Sequence, residues 1–169
     1  DADTIILGTH LSSLDTIDGG AGTDELRFTD SGSATSDLDG VTNVETVTLG
    51  DAATSVTTVD GLVGVGETLT VSAAALTGTN ALTWDGSAET NGSFNITGSS
   101  QADTITGGAG ADTVTAGSGN DTISGGEDAD TIILGTHLSS LDTIDGGAGT
   151  DELRFTDSGS ATSDLDGVT

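Results

Sequence analysis

The chain has 169 residues and a net charge of -26, set by 28 Asp and Glu against Arg27 and Arg154 with no Lys; nucleic acid and anionic membranes are excluded as direct partners, because both are held by clustered cations. Cys is absent, which removes disulfides and thiol redox chemistry, and no run approaches the roughly 18 consecutive apolar residues of a membrane span. Aromatic residues make up 2% of the chain, too little apolar surface to offset the entropy of folding, so something must neutralise the carboxylates before such a chain folds.

Residues 1–28 open in mid-motif at Asp1-Ala2-Asp3-Thr4, which reads as a piece of a longer protein, so a missing leader carries no information. Two nine-residue units follow, HLSSLDTID at 10–18 and GGAGTDELR at 19–27. Residues 29–97 drop that pattern but stay strand-like. VETVTLG (44–50), SVTTVDG (55–61), ETLTVSA (67–73), ALTWDG (81–86) and SFNITG (93–98) are rich in Val, Thr, Ile and aromatics, with Gly, Asp and Asn between them. Their spacing of roughly 11–13 residues resembles one side of a wider solenoid coil. A separate small β-sandwich is the alternative, and about 69 residues is short for one. Trp84 and Phe94 are core plugs of the wider section, with sugar binding as a rival role for Trp84. Two helix candidates, 72–78 and the stretch near 34–40, are too short to stand alone. The run Asp37-Leu38-Asp39-Gly40 lacks the bidentate Glu of an EF-hand loop and is rejected as one.

Residues 98–155 hold the strongest pattern. The units 98–106 (GSSQADTIT), 107–115 (GGAGADTVT), 116–124 (AGSGNDTIS) and 125–133 (GGEDADTII) place Asp103, Asp112, Asp121 and Asp130 nine residues apart, and Ile105, Val114, Ile123 and Ile132 keep the same interval. Leu134 to Thr136 interrupt, and the pattern resumes at 137–145 and 146–154. Residues 156–169 begin the next stretch without the motif. A second, longer period encloses this one. Residues 1–42 recur unchanged at 128–169, an offset of 128 − 1 = 127 residues, as in a tandem array of stacked units. Deliberately overlapped ends are the bland alternative.

The unit GGxGxDxUx, with U a large aliphatic, suits calcium held between stacked turns. Gly107, Gly108 and Gly110 allow a tight turn that aims carbonyl oxygens inward, and Asp112 adds a carboxylate at its end. Calcium is a hard cation that takes about six to eight oxygens, so carbonyls and aspartates suit it, and no His or Cys cluster points to zinc or iron. The equivalent positions are Gly19, Gly20, Gly22 and Asp24; Gly117, Gly119, Asn120 and Asp121; Gly125, Gly126, Asp128 and Asp130; and Gly146, Gly147, Gly149 and Asp151. Asp3, Asp15, Asp103 and Asp142 keep the carboxylate alone. Two units make one coil, so Asp103 stacks on Asp121 and Asp112 on Asp130 at about 4.8 Å, each pair sharing an ion, and Asp130 joins Asp151 if the insertion bulges outward. Solvated Asp-Gly hairpin loops are the bland reading of the same turns.

These segments resemble the RTX calcium-binding repeats of secreted bacterial toxins, proteases, adhesins and surface-layer proteins. The resemblance implies an all-β fold, a right-handed parallel β-solenoid or β-roll with calcium in its turns. Residues 1–28 and 98–155 would be calcium-binding sections; 29–97 and 156–169 would be calcium-poor. It further implies a structural repeat of a large surface protein exported through type I secretion, an adhesin shaft, lattice or filament whose partners are calcium and neighbouring identical repeats, in the same chain or another. Thirteen divalent ions (26/2) would cancel the net charge. Alternatives are a secretion and stability module beside an enzyme or toxin, or an ice-binding adhesin domain. The turns lack a regular outward Thr and Asn row, and strand propensity accounts for Thr104, Thr113, Thr122, Thr131 and Thr143. No enzyme is expected. His10 and His137 are one position seen twice and sit in a surface loop, no HExxH or GxSxG occurs, and the acidic pairs lie on a convex surface instead of a pocket.

Overall fold

A computed structural model describes residues 1–29, 33–34 and 38–156. Asp37 of the acidic run, residues 35–37 of the helix candidate near 34–40, and residues 157–169 lie outside those residues, while 38–40 form a turn. In chain order the strands are β1 (Thr4–Gly8), β2 (Ile17–Asp18), β3 (Glu25–Phe28), β4 (Ser33–Ala34), β5 (Val41–Thr42), β6 (Thr46–Leu49), β7 (Thr54–Thr57) and β8 (Thr68–Ser72). They continue as β9 (Leu82–Asp85), β10 (Ser93–Thr97), β11 (Thr104–Thr106), β12 (Thr113–Thr115), β13 (Thr122–Glu127), β14 (Thr131–Gly135), β15 (Thr143–Ala148) and β16 (Glu152–Phe155). Every strand pairing is parallel. One sheet has eight strands in the order β1-β3-β6-β8-β10-β12-β14-β16, a second has six in the order β15-β13-β11-β9-β7-β4, and β2 pairs with β5. The chain is therefore a solenoid in which each coil lays one strand on the strand before it.

The strands form where β-branched residues alternate with hydroxyl residues. In Thr113-Val114-Thr115 the valine is 1% exposed while the threonines face outward, the period of two that a half-buried strand needs. Leu26, Val47, Val71, Ile96, Val114 and Ile132 line the inside of the larger sheet, facing Val56, Trp84, Ile105, Ile123 and Ile144 from the smaller one. One core runs the length of the stack.

Coil length follows the turn chemistry. Asn95 pairs with Thr113 and Thr113 with Thr131, 18 residues per coil, as two nonapeptides require. Thr46 pairs with Thr70 and Thr70 with Asn95, coils of 24 and 25 residues. These wider coils house Trp84 and Phe94, both buried, with ring centroids 5.6 Å apart at 79°. The aromatics therefore plug the wide section. No β-sandwich separates from the solenoid, because β10 pairs with both β8 and β12 and β9 with both β7 and β11. The five strand stretches read between 44 and 98 fall on β6 to β10 and alternate between the two sheets, not along one side. Residues 72–78 hold the end of β8 and a turn closed by the Leu76 amide on the Ala73 carbonyl at 3.0 Å, and no helix occurs among the described residues.

The interruption at 134–136 is only partly a loop. Leu134 is 2% exposed and extends β14 inward past a register shift between Ile133 and Gly135. The loop runs from Thr136 to Leu141, which is 67% exposed, while Leu138 packs back against the core. Thr131 lies six coils and 127 residues after Thr4, so the long sequence period is a whole number of coils.

Candidate metal centre

An aspartate stands immediately before most strands of the nonapeptide coils, and these aspartates form two ladders. In each, one carboxylate oxygen accepts the backbone N–H of the equivalent residue one coil earlier. Along the six-stranded sheet the Leu82 amide donates to Asp103 Oδ1 at 2.7 Å, Asp103 to Asp121 Oδ1 at 2.9 Å and Asp121 to Asp142 Oδ1 at 2.8 Å. Along the eight-stranded sheet Phe94 donates to Asp112 Oδ1 at 2.6 Å, Asp112 to Asp130 Oδ1 at 2.8 Å and Asp130 to Asp151 Oδ1 at 3.0 Å. The same ladder opens with Asp3 donating to Asp24 Oδ1 and Asp24 to Glu45 Oε2, both at 2.7 Å. Leu69 and Phe94 occupy its next two steps, so the ladder is broken in the wide coils.

In four of these aspartates the second oxygen accepts an amide of its own turn. Asp103 Oδ2 accepts the Ser99 amide at 2.6 Å, Asp112 Oδ2 the Gly108 amide at 2.7 Å and Asp142 Oδ2 the Ser139 amide at 2.7 Å. Asp15 Oδ2 accepts the Ser12 amide at 2.8 Å in the duplicate turn. Asp24 and Asp130 are buried, and the Oδ2 of each has no hydrogen-bond partner. The stacked pairs read from the sequence are thus joined, Asp130 to Asp151 included, but the direct link is a carboxylate–amide hydrogen bond. The acidic pairs do not lie on a convex surface. Asp24, Asp103, Asp112, Asp121, Asp130 and Asp142 are at most 2% exposed, each set between the turn before it and the strand that follows.

Glycine is required where successive turns touch. A Cβ on Gly107 would overlap both the Gly125 carbonyl oxygen and Asp112 Oδ2, and one on Gly125 both the Gly146 carbonyl oxygen and Asp130 Oδ2. Two kinds of oxygen therefore converge on one small space in each turn. Gly126 sits at φ +126° with the Gly108 carbonyl where its Cβ would stand. Gly117, Gly119, Gly147 and Gly149, with Gly20 and Gly22 in the duplicate turn, share the positive φ; Gly19, Gly110 and Gly146 are crowded without it. Asp128 takes a glycine's place at φ 65°, in the left-handed region that Asp tolerates better than most residues. Asn120, Asp128, Asp3 and Asp151 are exposed. Among the described residues no three acidic or histidine side chains converge on one point, so a cation in a turn would draw mainly on carbonyl oxygens with one or two carboxylates.

Electrostatics favour such a cation. Burial pushes the Asp121 carboxyl up to about 7; the Asp103 amide opposes the shift, and the charges of Asp103 and Asp142 add to it. Burial likewise pushes Asp130 up to about 6, against the Asp112 amide and helped by Asp112, Asp151 and Asp128. Asp103 and Asp112 are raised too, burial again the main cause. The ladders offer a divalent ion buried charge, an orphaned oxygen and converging carbonyls, and both Arg stand outside them, paired with Glu25 and Glu152. The residues fit a hard cation.

A family model for the RTX calcium-binding nonapeptide repeat matches in four copies, over residues 13–28, 96–135 and 140–155. These segments are RTX repeats. They contain Asp15, Asp24, Asp103, Asp112, Asp121, Asp130, Asp142 and Asp151, every ladder aspartate described above except Asp3. No curated protein and no solved structure matches the chain. The RTX repeats thus form a calcium-binding β-roll within a longer parallel solenoid.

Two acidic residues outside the RTX repeats matter and were not singled out by sequence. Glu45 continues the ladder, and the equal steps of 21 residues from Asp3 to Asp24 to Glu45 are the signal that finds it. Glu89 is fully buried; its Oε2 accepts the amides of Gly61 at 3.2 Å and Val63 at 3.0 Å, and its Oε1 those of Asn91 and Gly92 at 3.3 Å. Four donors occupy that carboxylate, so Glu89 closes loops in the wide section. No spacing in the sequence announces it.

Proposed function

We propose that this chain is a structural, calcium-folded section of a large secreted bacterial surface protein, and that its RTX repeats stay unfolded until they meet extracellular calcium. The observation that carries this reading is the double ladder of buried aspartates. Stacked carboxylates cannot all stay ionised in a dry interior without a counter-ion, and the chain supplies no cationic side chain there. The ligands would be Asp103, Asp112, Asp121, Asp130 and Asp142 with the carbonyls of the neighbouring turns, and Asp151 at the end of that block; Asp24 with Glu45 would serve the duplicate block, with Asp3 and Asp15 beside them. Bound calcium would supply the positive charge that lets these carboxylates remain ionised while buried, and its binding energy then becomes folding energy.

Extracellular calcium modules bind at about 10⁻⁴–10⁻³ M, far above cytosolic calcium, so the chain would remain threadable for export and fold outside. The whole-coil period supports a shaft, lattice or filament role, since identical units then continue one another without a break in the sheets or core. Circular dichroism in chelator and in millimolar calcium tests the reading. The expected result is a β spectrum that appears only with calcium; an equal β signal in chelator contradicts it.

A further inference from the structure

The strands of the eight-stranded sheet carry four charged residues, Glu25, Arg27, Glu152 and Arg154, which cancel, so the whole net charge of -26 belongs to the rest of the chain. Both Arg are exposed on the outer face, Arg27 2.8 Å from Glu25 and Arg154 2.7 Å from Glu152. Between these pairs β6, β8, β10 and β12 present only Thr, Ser and Asn outward, and β14 presents Thr131, Ile133 and Gly135. The strands of the six-stranded sheet carry Asp85, Glu127 and Asp145 with no cation. A strongly anionic chain thus has one long face that a second anionic chain approaches without net repulsion. Of the acids beside its strands, Asp24, Asp112 and Asp130 are buried and Asp3, Glu67 and Asp151 stand exposed at the strand starts, and the screening length is about 8 Å at physiological salt.

The face is also complementary to itself. In-register pairing arranges its outward residues in two columns, with Glu25 and Glu152 in one and Arg27 and Arg154 in the other. A two-fold axis parallel to the stack, set between the columns, brings each column against the other column of a second copy at the same height. Glu25 then meets Arg27 and Glu152 meets Arg154; between them hydroxyl residues and Asn95, each both donor and acceptor, meet hydroxyls, and Thr131 meets Ile133. A slip of one coil along the stack sets Glu25 against uncharged residues, so the charged pairs fix the register. They recur every six coils, about 29 Å at 4.8 Å per coil.

We propose that this outer face pairs laterally with the same face of a second copy of the chain, the two solenoids side by side, parallel and in register. The proposal deepens the lattice or filament reading by naming the face that assembles. The face covers on the order of 400 Å² per copy, about half of what a stable pair needs, so one chain pairs weakly and tandem units add avidity.

Cross-linking tests it, because the chain has no native Cys. Asn95→Cys and Thr97→Cys, on β10, are mixed in calcium and oxidised, with Thr104→Cys and Thr106→Cys on β11 of the other sheet as control. The expected result is a covalent heterodimer from the β10 mixture that exceeds both the single-variant samples and the β11 mixture. Arg27→Glu with Arg154→Glu should abolish it, and adding Glu25→Arg and Glu152→Arg should restore it, since exchanged columns remain complementary. Circular dichroism of each variant separates a folding failure from a pairing failure. Equal cross-linking on both faces, none on β10 in a folded protein, or no restoration by the fourfold exchange overturns the proposal.

Discussion

Asp112 illustrates what each ladder carboxylate does before any ion is considered. Its two oxygens accept the amides of Phe94 and Gly108, one in the coil below and one in its own turn. Asp112→Ala leaves both amides buried without acceptors, at about 1–3 kcal/mol each, and a calcium-melting series should show the loss as a lower Tm. The acidic partners give a second residue-scale prediction. A free Asp titrates near 3.8, whereas the folded Asp121 and Asp130 are pushed up to about 7 and about 6. The folded metal-free chain therefore holds protons that the unfolded chain releases, so its stability is fullest below pH 3.8 and is lost as pH rises through 6 and 7. Circular dichroism in chelator should show this loss as a β signal that is present at acid pH and gone by neutral pH, where folding needs calcium. In calcium the sign reverses, because protons then compete with metal for the same oxygens. A chelated chain that grows more stable towards neutral pH would show that these carboxylates are not desolvated.

At the scale of elements, the glycine turns and the strands answer to different constraints. Gly126 combines φ +126° with the Gly108 carbonyl at the place of a side chain, so Gly126→Ala meets both conformational strain and a backbone clash. The strain alone costs about 1–3 kcal/mol, and the substitution should raise the calcium midpoint of folding, read by Trp84 fluorescence; an unchanged midpoint would mean that the turns stack more loosely than described. The strands were legible in the sequence because Thr-Val-Thr and Thr-Ile-Thr state a period of two and a β preference at once. Ile132 and Leu134 obey the same period, yet the three-residue break in the nine-residue pattern hid the inward place of Leu134. The aspartates were legible from their spacing but their burial was not, since exposure depends on how turn and strand close over the side chain. Glu89 left no trace in the sequence, because its four donors come from loops brought together only by the wide coils.

The molecule as a whole is a stack whose sequence period and structural period agree. Thr4 and Thr131 occupy the same place in the coil, six coils apart, and their neighbourhoods are identical in sequence from 1–42 to 128–169. An array of such units would extend both sheets without a seam. Its coherence depends on the charge balance inside the turns, because hydrogen bonds link the ladder carboxylates to the backbone but leave their negative charge in place. The most direct measurement is a crystal structure of the calcium-loaded chain, with anomalous scattering used to place the ions. The account predicts ions lodged between the glycine-turn carbonyls and Asp103, Asp112, Asp121 and Asp130, with Asp130 Oδ2 no longer orphaned. Ladder carboxylates held only by amides, with any calcium confined to exposed acids such as Asp18 and Asp145, would contradict it.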